Sequence, residues 1–226
     1  MAKKKGLPDS DPSVFTASAS TITNPTTHPD YSPVKLSFDI WACFYRDHLK
    51  FETNALKPLE EIWQDPEPGL WSISMLPGIS QNATVAAMHQ MGIDAGLYAD
   101  NLDVAIPYHD RDPNQTGPYL IQVRARQEAD KDNENRSADD LKEQGIQGIT
   151  SPERLILEAV FYLATEGASI NERHLDVQNI TLCAGSHGLG GAVPRVFWSL
   201  YSRRVRVYWF GTGSRLAFLR SRSVVS

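Results

Sequence analysis

Residues that could bind a metal ion or act as a nucleophile lie on both sides of a short apolar strand near the C-terminus. His174, Cys183 and His187 are the soft ligands here, but a zinc site would lack a fourth ligand and the spacing matches no established pattern. Cys183 could act as a nucleophile only beside an orienting base. We therefore predict no metal site at this strand, and we expect Cys183 to be a small buried residue.

A polar loop from Pro107 to Pro118 carries His109, Asp110 and Asp112, residue types that serve metal binding or acid–base chemistry. Their spacing again matches no ligand pattern, and Asp, Asn and Pro are the residues that turns use. The loop is interpreted as a connection. Because no catalytic constellation emerges elsewhere in the sequence, neither an enzyme nor a cofactor is predicted.

The glycine-rich run from Gly185 to Gly191 (GSHGLGG) has the composition of a phosphate-binding loop. Such a loop needs the N-terminus of a helix behind it, whereas Ala192 to Trp198 has the pattern of a strand. The glycines are better explained as residues that allow tight turns beneath a ligand-binding surface.

The C-terminal tail, residues 183–226, differs in composition from the chain before it. It contains no Lys, Glu, Gln, Met, Asp or Asn, and it holds seven of the 22 basic residues but none of the 27 acidic ones. The tail therefore carries a formal charge of +7 and the rest of the chain −12, for a net charge of −5. Charged residues of both signs make up about a quarter of an average globular protein, so this bias is improbable by chance.

Alternation within the tail predicts two strands that share an apolar inner face. Arg195 and Phe197 are expected on the opposite, outer face of the first strand, and Arg206, Tyr208 and Phe210 on the outer face of the second. The inner face is expected to be fixed and the outer face to be free to differ. The predicted apolar skeleton comprises Val193, Val196, Trp198, Val205, Val207 and Trp209.

The candidate ligand-binding residues lie on the outer face and in the loops beside it. They are His187, Gly188, Leu189, Arg195, Phe197, Ser199, Leu200, Tyr201, Arg203, Arg204, Arg206, Tyr208, Phe210, Thr212, Ser214, Arg215 and Phe218. All of these residue types can be encoded by codons that end in a pyrimidine. Randomising the two adenines of an Asn codon yields such codons, which cannot encode Lys, Gln, Glu, Met or Trp. Both tail tryptophans fall on the skeleton, where no randomisation is expected.

In this respect the tail resembles the variable region of a diversity-generating retroelement target protein, in which adenine-directed mutagenesis rewrites surface codons. The resemblance rests on Thr181–Ser186 (TLCAGS), on the VPxVxW and VxVxW strands, and on the closing Leu219–Arg222 (LRSR). It covers about the C-terminal half of the chain and weakens toward its N-terminal side.

The resemblance implies an α+β, C-type lectin-like fold of the formylglycine-generating-enzyme type. In that fold an antiparallel sheet packs with two helices and carries a variable β region, here residues 183–222. Display on a cell surface or a virus particle is implied as well. The enzymes that share the fold use a cysteine pair, whereas this tail has one cysteine, so their oxidation chemistry is not expected.

The outer face is expected to bind a protein or a cell-surface structure with acidic patches. Tyr and Arg dominate binding energy at interfaces, and Arg recognises carboxylates through two parallel hydrogen bonds. The alternative is a nucleic-acid surface, where cations bind phosphates and rings stack on bases. The charge of −12 on the rest of the chain argues against a broad nucleic-acid footprint but not against a local one. A third interpretation takes the tail as simply the end of a sheet.

The elements expected to position these residues follow from periodicity and capping patterns. The clearest is a helix that begins at Thr150-Ser-Pro-Glu153 and stops at Gly167. A solvated segment is expected over Gln127–Arg136. Further helices are predicted over Pro58–Trp63, Asn82–Met91 and Ser137–Gln144, and further strands over Val34–Trp41, Leu70–Met75, Tyr119–Arg124 and Ile180–Gly185.

Length and composition predict one soluble domain, residues 33–226, preceded by an extended or flexible arm, residues 1–32. No apolar run approaches the roughly 18 residues that a membrane span requires. The lysines after Met1 are not followed by an apolar core, so a signal peptide is not predicted. Cys43 and Cys183 are far apart and give no disulfide framework.

Overall fold

A computed structural model describes residues 32–225 of the 226-residue chain, and the predicted arm lies outside them apart from Ser32. The protein is a mixed α/β structure. Its helices are α1 (Phe38–Cys43), α2 (Lys57–Ile62), α3 (Gln81–Gln90), α4 (Leu102–Ala105), α5 (Pro113–Thr116), α6 (Ala138–Glu143) and α7 (Ser151–Ala164). Its strands are β1 (Leu70–Met75), β2 (Ala95–Leu97), β3 (Tyr108–His109), β4 (Tyr119–Arg124), β5 (Ile180–Leu182), β6 (Ser186–His187), β7 (Val193–Ser199), β8 (Arg204–Phe210) and β9 (Leu219–Arg220).

Within the described residues, the strands form a five-stranded sheet of order β2-β8-β7-β5-β9 and two two-stranded pairs, β1 with β4 and β3 with β6. The centre of the large sheet is the antiparallel hairpin β7–β8, and β5 is antiparallel to β7. The edge strands β2 and β9 pair in parallel with β8 and β5. The sheet is therefore mixed, which corrects the prediction of an antiparallel one. Parallel edges arise because both edge strands are separated in sequence from the strands they join, so no hairpin constrains their direction.

The large sheet lies between two helices. Its inner face packs on α7, and the main hydrophobic core continues beyond α7 to β1, where the rings of Trp71 and Phe161 lie 5.4 Å apart. On the outer face, Leu141 of α6 joins a second, smaller apolar cluster with Leu182 and Phe197. The two faces of one sheet thus belong to two different cores.

The predicted starts of α6 and α7 are confirmed. The Thr150 hydroxyl accepts a hydrogen bond from the Glu153 amide, and the Glu153 carboxylate accepts one from the Thr150 amide at 2.7 Å. Ser137 and Asp140 form the same reciprocal pair at α6. Each box satisfies amide groups that the first helical turn leaves without a partner.

Most of the other predicted elements are present within a few residues of their expected bounds. These are the helices α2 and α3 and the strands β1, β4, β5, β7 and β8. Cys183 is buried as predicted, and both Cys43 and Cys183 are free thiols.

The prediction of a strand over Val34–Trp41 is wrong, because this segment enters α1. Alternation over eight residues suggested a strand, but the residues that become fully buried are Trp41, Phe44 and Tyr45. Their spacing of three and four residues is that of one helix face. Phe44 and Tyr45, which reveal the helical spacing, lie beyond the segment Val34–Trp41 whose alternation suggested a strand.

The segment Gln127–Arg136 is also less solvated than predicted. Asp130 and Asn133 are buried, and the Asn133 side chain donates to the Ser221 carbonyl at 3.0 Å and to the Ser223 hydroxyl at 2.8 Å. Its polar residues bind the backbone of the C-terminal tail, so hydrophilic composition here marks a polar contact inside the protein.

Candidate ligand-binding surface

The hairpin β7–β8 has the inner face that the alternation predicted. Val196 pairs with Val207 and Trp198 with Val205, and all four side chains are buried. Trp209 is half-buried, with its ring centroid 3.9 Å from that of Tyr98. Four of the six skeleton residues therefore contribute to the main core.

Val193 departs from the predicted skeleton. It pairs with Phe210 on the outer face and is buried in the second cluster beneath α6. Val193 and Val196 are three positions apart, an odd offset, so the period-two geometry of a strand places them on opposite faces.

The outer face of the hairpin has a covered part and an open part. Phe197 and Ser199 lie on this face but are only 3% and 6% exposed. Phe197 packs with Leu141 and Leu182, while the Ser199 hydroxyl accepts a hydrogen bond from the Ser202 amide at 3.2 Å. Burial leaves these two residues without a surface for a ligand, contrary to their predicted role. Leu141 of α6 covers Phe197, whereas Ser199 is enclosed by the turn that follows it.

Gly188 also departs from its predicted role as a ligand contact. It is buried, and a side-chain carbon added there would lie 2.8 Å from the carbonyl oxygen of Ala105. That oxygen belongs to the backbone, so any residue with a side-chain carbon at this position would displace the loop. Gly188 is a packing residue.

The open part of the outer face is a cluster of arginines and aromatic rings. The Arg195 guanidinium lies 3.9 Å from the centroid of the Phe210 ring and 5.4 Å from that of Tyr208. Arg206 lies 4.8 Å from the Tyr208 centroid, and Arg204 pairs with Asp94 at 2.7 Å. Cation–π contacts of this kind fix guanidinium groups that would otherwise move freely.

Charge in this cluster is only partly compensated. Burial, followed by repulsion from Arg206, lowers the pKa of Arg195 to about 10. Burial also lowers the pKa of Arg206, with Arg204 adding to the effect and Asp94 opposing it. In the part of the chain that the structure describes, neither Arg195 nor Arg206 has an ion-pair partner.

The predicted loop residues lie at two opposite ends of the hairpin. His187, Leu189 and Thr212 are exposed beside the Val193–Phe210 end, whereas Leu200, Tyr201 and Arg203 are exposed at the tip. The hairpin pairs over seven residues, so about 20 Å separates the two groups. The structure therefore brings the predicted residues together as two exposed ends joined by the arginine cluster.

Large apolar side chains are exposed at both ends, although Val104, Ile170 and Val225 in other parts of the described chain are exposed as well. Tyr201 is 94% exposed and Leu200 52% at the tip, while Leu189 is 71% exposed at the other end. Tyr108, from β3, stacks on His187 with 5.1 Å between ring centroids, so a residue outside the tail extends that end. Sequence reasoning missed Tyr108, which only the pairing of β3 with β6 brings to this place.

The segment after β8 is held against α6. Arg215 forms two hydrogen bonds to the Asp140 carboxylate, at 2.7 and 2.5 Å, and this pairing holds the pKa of Asp140 well below its usual range. Phe218 packs on the second cluster, and Ser214 is half-buried. A cleft of about 520 Å³ lies between α6 and the 187–193 loop, lined among others by Asp139, His187, Val193 and Thr212.

The potential metal and nucleophile residues have structural contacts. The His174 imidazole is 2.7 Å from the Glu158 carboxylate and stacks on Trp198 with 3.5 Å between ring centroids. Burial raises the pKa of the Cys183 thiol. Over residues 32–225, no group of three His, Cys, Asp or Glu side chains has the arrangement to hold a metal ion.

His109 lies 2.8 Å from the hydroxyl of Ser186, a distance suited to proton transfer. Burial lowers the pKa of His109, which favours the neutral imidazole. Ser186, however, is fully buried, and its hydroxyl accepts a hydrogen bond from the Ser151 amide at the start of α7. The pair joins β3 and β6 to the helix.

A buried charge network was not foreseen from the sequence. Arg154 of α7 pairs with Glu158 and Asp176, each at 2.8 Å, and Arg222 pairs with Asp176 at 2.9 Å. All four side chains are at most 1% exposed. One signal was available, since Arg154 and Glu158 stand four residues apart and are the charged residues that flank the apolar run Leu155–Leu157. The network fixes the end of the tail to the centre of the fold.

Among the described residues, none of the helices has both the length and the apolar character that crossing a bilayer requires. In the comparisons with known proteins, no family model, curated protein or solved structure matches the chain.

Proposed function

We propose that this chain is a ligand-binding display protein, built on a C-type lectin-like fold, whose C-terminal surface is diversified by adenine-directed retroelement mutagenesis. Its ligand is a protein or a cell-surface structure with acidic patches. The candidate surface, after removal of the buried Gly188, Phe197 and Ser199, comprises His187, Leu189, Arg195, Leu200, Tyr201, Arg203, Arg204, Arg206, Tyr208, Phe210, Thr212, Ser214, Arg215 and Phe218.

The observation that carries the proposal is the separation of the two faces of the hairpin. Val196, Trp198 and Val207 are buried on one face, while the exposed positions around it hold only residues of the pyrimidine-ending codon set. Exposed side chains contribute little to packing, so they can be exchanged without loss of the core. Such an arrangement is what a scaffold for a varied surface requires.

The exposed residues are also suited to binding. Tyr201 presents almost its whole side chain, and a tyrosine loses little conformational entropy when a partner fixes it. Leu200 adds apolar area at the same tip, and the arginine cluster lies on the adjoining face. Aromatic and arginine side chains together supply most of the energy at protein interfaces.

The arrangement of the coding DNA tests this proposal. Sequencing of the gene and its flanks should find a second copy of the tail's coding sequence beside a reverse transcriptase gene. The two copies should differ only where the second has adenine, at codons for exposed residues. A locus without such a copy, or differences at the codons for Val196, Trp198 and Val207, contradicts the proposal.

A second function is favoured by one observation, the convergence of Arg195 and Arg206 on the rings of Tyr208 and Phe210. Cations beside aromatic rings also form single-stranded nucleic-acid surfaces. A salt titration with an oligothymidylate tests this alternative. Binding that weakens steeply with salt supports it, and absence of binding at low salt removes it.

A further inference from the structure

The arginine cluster on the outer face has the features of a site for an anionic group. Arg195 lies directly across from Tyr208, and Arg206 lies two residues before Tyr208 on β8. Their side chains approach the same ring from neighbouring positions. Asp94 forms its ion pair with Arg204 and acts on Arg206 only as a nearby charge, so among the described residues neither Arg195 nor Arg206 has a direct ion-pair partner.

The unpaired state of Arg195 is costly. Its Nε atom is buried without a hydrogen-bond partner, and the neighbouring charge of Arg206 is of the same sign. A buried donor that lacks a partner, beside a like charge, destabilises the free protein. A carboxylate that accepts hydrogen bonds from the Nη groups, which are not among the buried atoms, would compensate the charge, so its binding relieves part of a cost that already exists.

The guanidinium groups are also held in position before any ligand arrives. Phe210 and Tyr208 support Arg195, and Tyr208 supports Arg206. Gly96 of β2 completes the site, because a side-chain carbon there would lie 3.0 Å from Nη1 of Arg206 and 2.9 Å from Cδ of Arg204. Glycine at this position gives the arginines room to lie across the edge of the sheet.

The geometry favours a carboxylate over a nucleobase and its phosphate. Base stacking needs a free ring face, but Arg195 covers a face of Phe210 at 3.9 Å and both arginines approach Tyr208. A guanidinium group presents a planar fork of donors that matches the two oxygens of a carboxylate.

We propose that Arg195 and Arg206 form a carboxylate-binding subsite on the outer face of the hairpin, which takes an Asp or Glu side chain of an acidic protein ligand. The subsite names the chemical group that the surface recognises, and it rests on the proposed function for the identity of its biological partner.

The test is a titration of the full chain with acetyl-triglutamate amide, followed through the Nε–H signal of Arg195 in nitrogen-15 correlated NMR spectra. We expect a saturable shift at millimolar peptide, and no shift with acetyl-triglutamine amide. Arg206→Gln should weaken the binding at least tenfold. Arg46→Gln removes the same charge from an exposed arginine outside the candidate surface and should leave the binding unchanged within twofold.

A second variant keeps every charge in place. Gly96→Ala displaces the Arg204 and Arg206 side chains and should weaken peptide binding, though less than Arg206→Gln does, with the thermal midpoint monitored as the control for folding. An unshifted Arg195 signal overturns the subsite, and so does equal binding of the two peptides. Tighter binding of an oligothymidylate than of triglutamate overturns the carboxylate assignment.

The peptide titration and the sequencing of the locus test the subsite and the display function separately. A template copy in the DNA without peptide binding leaves the display function standing and removes the subsite. Peptide binding without a template copy leaves the subsite standing and removes the diversification.

Discussion

At the scale of single residues, Phe197 and Tyr201 show how the same residue class serves two purposes within one hairpin. Both belong to the predicted ligand-binding set, but Phe197 is 3% exposed beneath α6 and Tyr201 is 94% exposed at the tip. Removal of a buried ring leaves a cavity, whereas removal of an exposed ring leaves only water.

Phe197→Ala should therefore lower the free energy of unfolding by about 3–5 kcal/mol. The matched change Tyr201→Ala should alter it by no more than about 0.5 kcal/mol. Urea unfolding followed by circular dichroism measures both values. Equal effects of the two substitutions are incompatible with the burial difference and with our removal of Phe197 from the candidate surface.

Asp176 is the residue on which the buried charge network depends, since it pairs with both Arg154 and Arg222. Asp176→Asn leaves two buried guanidinium groups with one remaining carboxylate, that of Glu158. We expect a loss of about 3–5 kcal/mol in the free energy of unfolding. Asp132→Asn is the control, because the Asp132 side chain is 72% exposed, and chemical denaturation should register almost no change.

At the scale of elements, the loop between β5 and β7 is built on glycines with different surroundings. A side-chain carbon at Gly185 would lie 2.7 Å from the Gly148 carbonyl oxygen, whereas one at Gly190 meets nothing within 4 Å. Close packing against the backbone thus explains the glycine at position 185 but not the glycine at position 190.

Gly185→Ala should destabilise the protein by about 1–3 kcal/mol, because the opposing atom belongs to the backbone and cannot turn away. Gly190→Ala should be neutral within about 0.5 kcal/mol. The comparison is made by thermal unfolding of the two variants beside the parent. A neutral Gly185→Ala would mean that the loop and the start of α7 are not packed as described.

Local signals account for the elements that the sequence predicted well. The helix α7 begins with a reciprocal cap at Thr150 and Glu153, and the residues that define it are neighbours in sequence. The segment Val34–Trp41 failed because its short alternation fits two structures, and only burial against the core selects the helix. The pairing of the edge strand β2 with β8 could not be predicted from neighbouring residues either, because more than a hundred residues separate the two strands.

At the scale of the whole molecule, the network joins α7, the 174–176 segment and the end of the tail into one unit. Burial alone would raise the pKa of Asp176, but Arg222 and Arg154 outweigh burial and hold the pKa below its usual value. Glu158 follows the same rule, with burial opposed by Arg154 and His174. Both carboxylates therefore link folding to pH.

A carboxylate with a depressed pKa stabilises the fold above its unfolded pKa, about 3.9 for Asp and 4.3 for Glu, and that stability is lost as pH falls through the folded value. We expect the unfolding midpoint to drop steeply below about pH 4, where these two carboxylates take up protons. Urea unfolding across this range checks the profile. Asp176→Asn should flatten the acid limb, and an unchanged limb in that variant argues against the linkage.

The sequence by itself determined the hairpin, its buried valine and tryptophan face, the capped helices and the charge of the tail. These features depend on periodicity and on residues close together in the chain, so local physics specifies them. Only the tertiary structure decided that α6 covers Phe197, that Gly96 makes room for Arg206, and that Arg222 reaches Asp176. Each of those contacts joins segments far apart in sequence, and burial there depends on which segment packs above a residue.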